Sequence, residues 1–169
     1  MNQHQPSQPR GAITMPHPHG DASAHSACTV RPPTPDDYHK MAALAGQLGY
    51  PCTDGTIRDR LAGMQNSDQY AVYIAELSGG HIAGWVGVCI FRAVSSDKCA
   101  EISGLIVDEQ VRSRAIGKRL LDAAEEWARL RGCDVISVHS NVTRERAHQF
   151  YSNNGFQHLK TQKLFLKSL

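Results

Sequence analysis

The spacing of apolar residues divides the chain into a patternless stretch and a patterned body. Residues 1 to 27 are dominated by Pro, Gln, Ser, Gly and His and show no apolar period, so a disordered N-terminal extension is expected there. From Cys28 the pattern alternates between strand and helix. Residues 28 to 31 form a short strand candidate, Pro32-Pro33-Thr34-Pro35 breaks it, and Thr34 is placed to cap a helix over about 35 to 48. A second helix is expected after Asp54, with Ile57, Leu61 and Met64 on one face. Residues 70 to 77 and 82 to 92 read as antiparallel strands about Ser78-Gly79-Gly80, and a third apolar run covers about 99 to 107. Ile116, Leu120, Leu121, Ala124, Trp127 and Ala128 then recur at three- and four-residue spacing, which predicts an amphipathic helix with Trp127 in the core. A strand over 135 to 140, a short helix over 144 to 153 and a closing strand over 156 to 166 complete the order. It fits an α/β domain over 28–169, a mixed twisted sheet with helices on both faces.

Composition narrows this picture without deciding it. At 169 residues and 41% hydrophobic, the chain is long enough for one sizeable core. Its net charge of +2 is too small to argue for a nucleic-acid partner, and no apolar run is long enough to span a membrane or serve as a secretory signal. Five cysteines without a C-x-x-C pair read as reduced thiols in a cytoplasmic protein; a catalytic thiol is the sharper alternative. His17, His19 and His25 read as solvated tail residues, with no cysteine or carboxylate cluster to complete a metal site.

The chemistry concentrates in residues 101 to 121, where an apolar strand runs through a short polar turn into the amphipathic helix. Backbone N–H groups at a helix mouth lack partners within the helix, and the helix dipole adds positive charge there, so such a junction suits a phosphate. Arg112, Arg114, Lys118 and Arg119 cluster at the same place; a solvated basic face is the plainer account of them.

Two segments go further. Arg112-Ser113-Arg114-Ala115-Ile116-Gly117 resembles the acyl-CoA turn, Arg/Gln-x-x-Gly-x-Gly/Ala, of the GNAT N-acetyltransferases, although Ala115 stands where that family usually has its first glycine. A Cβ there restricts left-handed backbone and close approach of a pyrophosphate. Asn141 through Phe156, with Ala147, Phe150-Tyr151 and Gly155-Phe156, resembles the same family's Asn…Ala-x-x-Phe-Tyr-x-x-x-Gly-Phe segment. The resemblance spans roughly residues 28 to 169 and is strongest toward the small-molecule branch that includes aminoalkylphosphonate acetyltransferases.

The resemblance implies a GNAT-like acyl-CoA-binding fold and transfer of an acetyl group from acetyl-CoA to the primary amine of a small molecule, by direct attack in a ternary complex. It assigns cofactor contacts to the main chain of Leu105, Ile106 and Val107, to the turn residues Arg112, Ser113, Arg114, Ala115, Ile116, Gly117 and Lys118, and to Asn141. The early helices, with Asp36, Asp37, Tyr50 and Asp54, would face the amine. An alkylammonium with a pKa near ~10 must lose a proton before it attacks, and Glu101 is the candidate acceptor. Tyr151 matches the family's tyrosine that donates to the departing thiolate. Protein or peptide amines as substrates, or a non-catalytic acyl-CoA sensor, remain alternative readings. A small amine is the expected partner, nucleic acid and membrane are not, and a homodimer is compatible with such a domain.

Overall fold

A computed structural model describes residues 28–64, 67–93, 96–112 and 114–169; the expected N-terminal extension, residues 1–27, lies outside them. Five strands form one sheet in the order β1-β2-β3-β4-β5. β1 (Cys28–Arg31), β2 (Tyr70–Leu77), β3 (His81–Ala93) and β4 (Ser96–Val107) are antiparallel to one another in sequence, and β5 (Ile136–Val138) is parallel to β4. The helices are α1 (Tyr38–Gln47), α2 (Asp54–Met64), α3 (Ile116–Leu130) and α4 (Glu145–Asn153).

Period-two alternation in the strands supplies two apolar faces, and each is covered. Ala75, Val86, Val88, Ala100 and Ile102 face α3, where Leu120, Leu121, Ala124 and Trp127 are buried against them. Ile74, Ile82 and Ile106 face the other way, onto Met41 and Leu44 of α1 and Ile57 of α2. Helices therefore lie on both faces, as the pattern predicts, and Trp127 is a core residue.

The first helix differs from its expected form. Pro35–Asp37 is a 3₁₀ turn, and α1 starts only at Tyr38. Asp37 accounts for this: its carboxylate accepts from Thr34 N–H (2.6 Å) and the Thr34 hydroxyl (2.9 Å), and it is paired with Arg31 (2.8 Å), which also holds Glu76 (2.6 Å). Asp37 ties the start of α1 to β1 and β2 and is not free for an amine.

Two irregularities prepare the site. The register between β3 and β4 passes from Gly87↔Gly104 to Val88↔Ile102, leaving Ser103 as an extra residue in β4. That bulge reverses the alternation, so Ala100 and Ile102 before it face α3, whereas Ile106 after it faces α1. Next to the bulge, β5 stops pairing: its bonds to β4 run from Ala100↔Ile136 to Ile102↔Val138 and end there, while β4 continues to Val107.

The expected closing strand over 156 to 166 is not formed. Phe156 is half-buried, and residues 157 to 169 are exposed and belong to no element. Apolar content alone does not make a strand, which exists only when another strand pairs with it.

Candidate active site

Beyond the bulge, β4 is held on one side only. Leu105, Ile106 and Val107 pair with Val86, Trp85 and Gly84, and no described residue of β5 pairs with their opposite edge. The main chain of these three residues thus borders a gap while Ile106 is buried and Leu105 and Val107 pack at the edge of the core. β3 approaches β4 closely here because Gly84 has no side chain: a Cβ on it would lie 2.4 Å from the Ile106 carbonyl oxygen.

At the end of β4, Asp108 (1% exposed) accepts from Gln110 N–H and from Lys40 of α1 at 2.6 Å, closing the 3₁₀ turn Glu109–Val111 and tying it to α1. The Lys40 hydrogen bond holds its carboxyl below the usual range against the opposing effect of burial. Glu109 serves the same turn: its N–H donates to Gln47 and its carboxylate pairs with Arg112.

The chain then enters α3 through Ala115, whose φ of 57° and ψ of 11° are left-handed, unique for a non-glycine among the described residues. The first helical bond runs from Arg119 N–H to the Ala115 carbonyl (3.1 Å), so the N–H groups of Ile116, Gly117 and Lys118 face off the helix end. Gly117 lies under the ring of Phe150, which a Cβ would approach to 3.2 Å, and so brings the mouth of α3 against α4.

The basic side chains of the turn are more occupied than the sequence suggests. Arg112 reaches back to Glu109 (3.0 Å) and the Val107 carbonyl (3.4 Å), Lys118 pairs with Asp122, and Arg119 donates to the Cys28 carbonyl of β1 (3.0 Å). Arg114 is exposed and bonds to none of the described residues; Ser113 lies outside them. An anion at this mouth would meet main chain first, with Arg114 as the uncommitted cation.

Glu101 sits at the base of the gap, one residue before the last β4–β5 pair and opposite Ser137. Its neighbours Ala100 and Ile102 face α3, so its side chain emerges on the face of α1. His139, two residues beyond Ser137 on the same face, places Nδ1 3.4 Å from the Glu101 carboxylate. Sequence reading missed His139, because a parallel register between segments this far apart leaves no local signal.

Tyr151 projects from α4 between two rings, Phe150 and Phe156, each with its centroid 5.3 Å away. Burial pushes its phenol above the ordinary value, with Arg144 opposing, so the hydroxyl keeps its proton at neutral pH. Arg144 was also missed; it bonds the Leu48 carbonyl at the end of α1 (2.6 Å) and joins α4 to the loop before α2. Asn141 does not cap α4. Its Oδ1 accepts from Thr143 N–H (3.0 Å) and the Thr143 hydroxyl (2.9 Å), and its amide nitrogen has no hydrogen-bond partner among the described residues.

Of the remaining early-helix candidates, Tyr50 and Asp36 are exposed and Asp54 lies 3.2 Å from His39. The five cysteines are free thiols; Cys89 and Cys99 are shifted upward by burial, with Glu101 adding to it, which disfavours thiolate nucleophiles. A concavity of ≈ 510 Å³ lined by Val30, Tyr73, Arg119 and Trp127 lies between the outer strands and α3, away from the gap. No helix among the described residues is long and apolar enough to cross a membrane.

The geometry has counterparts in known proteins. Residues 40–156 match the model of the acetyltransferase (GNAT) family. An aminoalkylphosphonate N-acetyltransferase of Salmonella typhimurium is 30% identical over 132 residues, 77% of this chain and 85% of that protein. An aminoglycoside N(6')-acetyltransferase type 1 of Stenotrophomonas maltophilia is 27% identical over 137 residues, 78% of this chain and 88% of that protein. The structure of an aminoglycoside N-acetyltransferase in complex with CoA superposes with a TM-score of 0.75 at 18% identity, covering 85% of this chain and 97% of the other.

Proposed function

Since the chain belongs to the GNAT family of acetyltransferases and is an acetyl-CoA-dependent enzyme, we propose that it acetylates the primary amine of a small molecule by direct attack in a ternary complex. The observation that carries this reading is the parting of β4 and β5 beside the open N-terminus of α3. A gap flanked by unpaired main chain accepts an amide-bearing arm as an added strand would, and the free N–H groups of Ile116, Gly117 and Lys118 suit its pyrophosphate. The residues fit acetyl-CoA, which supplies an activated thioester: Leu105, Ile106 and Val107 would hold the arm by main chain, Ala115 to Lys118 the phosphates with Arg112 and Arg114 alongside, and the Asn141 amide would donate. Ala115 already holds the left-handed conformation that a glycine would take there, which supports a working turn over a degenerate one.

Glu101 takes the proton of the attacking ammonium, and His139 offers it a path to solvent. As the C–N bond forms and the C–S bond breaks, the Tyr151 hydroxyl protonates the departing thiolate; its burial keeps that proton available. The acceptor enters between α4 and the loop joining α1 to α2, where Arg144 has no carboxylate partner among the described residues. A cation there favours an amine that carries an anionic group, such as an aminophosphonate, over a polyamine.

Titration calorimetry with acetyl-CoA and a thiol-release screen over aminophosphonates, amino acids, polyamines, aminoglycosides and peptides test the proposal. Binding with turnover of a small anionic amine is expected. Turnover confined to peptides would replace the small-molecule reading, and failure to bind acetyl-CoA would remove the site.

A further inference from the structure

The two faces of the sheet are not covered to the same extent. α3 lies along one of them, whereas α1 and α2 cover only the part of the other that carries Ile74, Ile82 and Ile106. Alongside the part of β4 that precedes the bulge, this second face is bare. Register sets its side chains in two rows: Tyr70, Cys89, Glu101 and Ser137 stand side by side on β2 to β5, and Phe91 beside Cys99 forms the next row on β3 and β4. Alternation puts Cys89 and Phe91 on the face of Glu101, because Val88 and Ile90, which flank Cys89, pack toward α3. Tyr70, Cys89, Phe91 and Cys99 belong to neither core, and Phe91 is 47% and Tyr70 45% exposed. The closeness of the two rows shows in the thiols: the Glu101 charge adds to burial in raising both Cys89 and Cys99.

The bare patch runs directly away from the gap. Leu105 to Val107 border the end where the thioester would lie, Glu101 stands further back along β4, and Phe91 and Cys99 continue in the same direction. An amine that attacks an acyl carbon keeps its own body on the side away from that carbon, which here is the side of the patch. We propose that Cys89 and Phe91 form the specificity surface for an apolar arm of the acceptor, so that the preferred substrate is a primary amine with an anionic group for Arg144 and an aromatic or branched aliphatic arm on the amine-bearing carbon. This rests on the acetyl-transfer reading. Glu101 holds the ammonium by opposite charge at the edge of the patch, and a thiol with an aromatic ring offers the arm an apolar, polarisable seat. Two residues of strand advance about 7 Å, a separation that a benzyl or isobutyl arm closes to contact. The patch carries no second carboxylate among the described residues, so the distal ammonium of a polyamine gains nothing there.

Steady-state kinetics over 1-aminoalkylphosphonates whose arm grows from hydrogen through methyl and isobutyl to benzyl test the inference. The value of kcat/KM is expected to rise roughly 10-fold or more from hydrogen to benzyl, the discrimination that a few apolar carbons supply in a protein site. Phe91→Ala should lower the benzyl-to-hydrogen ratio about 10-fold, chiefly through KM. In the wild type with coenzyme A bound, isotope-filtered magnetic resonance should show contacts between the Phe91 ring and the arm, a measurement that needs no variant to fold. Turnover of the unsubstituted amine with a flat or falling series overturns the inference and leaves acetyl transfer standing, as does an unaltered ratio in Phe91→Ala or an arm that contacts Tyr50 instead of Phe91. Absence of turnover with any amine overturns both readings.

Discussion

β3 and β4 are paired from Ala93↔Ser96 to Gly84↔Val107, whereas β5 holds β4 through three residue pairs, Ala100↔Ile136 to Ile102↔Val138. The helices follow the same division: α3 buries six residues, including Leu120, Leu121 and Trp127, and α4 buries none completely. A sheet can part along a line only where one flank is held independently of the other. Here the firm flank fixes the main chain of Leu105 to Val107, and the thin flank can stand away from it. The thin flank is also where the chain leaves its apolar end uncovered.

The sharpest way to break this contrast is on the firm side. Gly84→Ala puts a Cβ against the Ile106 carbonyl, which belongs to backbone and cannot rotate away. The expected loss is about 3 kcal/mol, a fall of roughly 10 °C in melting temperature by calorimetry. An unchanged transition would mean that the close β3–β4 approach does not anchor the gap.

On the thin side the expected loss is kinetic. Tyr151→Phe keeps the ring between Phe150 and Phe156 and removes only the hydroxyl, so the fold and acetyl-CoA affinity should stay while turnover drops roughly 10²-fold. Stopped-flow measurement of the chemical step checks it; equal rates would reduce Tyr151 to a packing residue.

Glu101→Gln should have a smaller, pH-dependent effect, about 10-fold where the substrate amine is charged and shrinking as pH rises toward the amine's own pKa. A pH-rate profile decides, since a uniform loss would assign Glu101 to positioning the substrate.

Ala115→Gly gives the least. Removing the Cβ at a φ of 57° relieves about 1 kcal/mol of left-handed strain, partly offset by greater freedom in the unfolded chain. We expect slightly higher stability and tighter acetyl-CoA binding by calorimetry. Weaker binding would show that the Cβ does not crowd the pyrophosphate.

Much of this was legible in the residues. Strand and helix periods located nearly every element, because burial on one face imposes its period on a contiguous stretch of chain: β1 lies at Cys28–Arg31 as expected, and α2 runs from Asp54 to Met64. The two family-like segments located the turn before α3 and the aromatic pair on α4. Arg112, Lys118 and Arg119 show where that reading stops. Their spacing suggests a shared charge cluster, yet Lys118 pairs with Asp122, Arg119 reaches a carbonyl ninety-one positions away in the chain, and Arg112 turns back to Glu109 and the Val107 carbonyl.

What the sequence determined by itself is therefore local: most of the elements, their order, the place of the turn and the chemical types available around it. What only the tertiary structure decided is which groups meet. The bulge at Ser103, the departure of β5 after Val138, the approach of His139 to Glu101, the reach of Arg144 to Leu48 and the bare segment after Phe156 all depend on register and pairing between distant segments. The physical reason is that hydrophobic burial needs only a face and is written in the spacing of neighbours, whereas a hydrogen bond or strand pair needs one particular partner, and that partner is chosen in space.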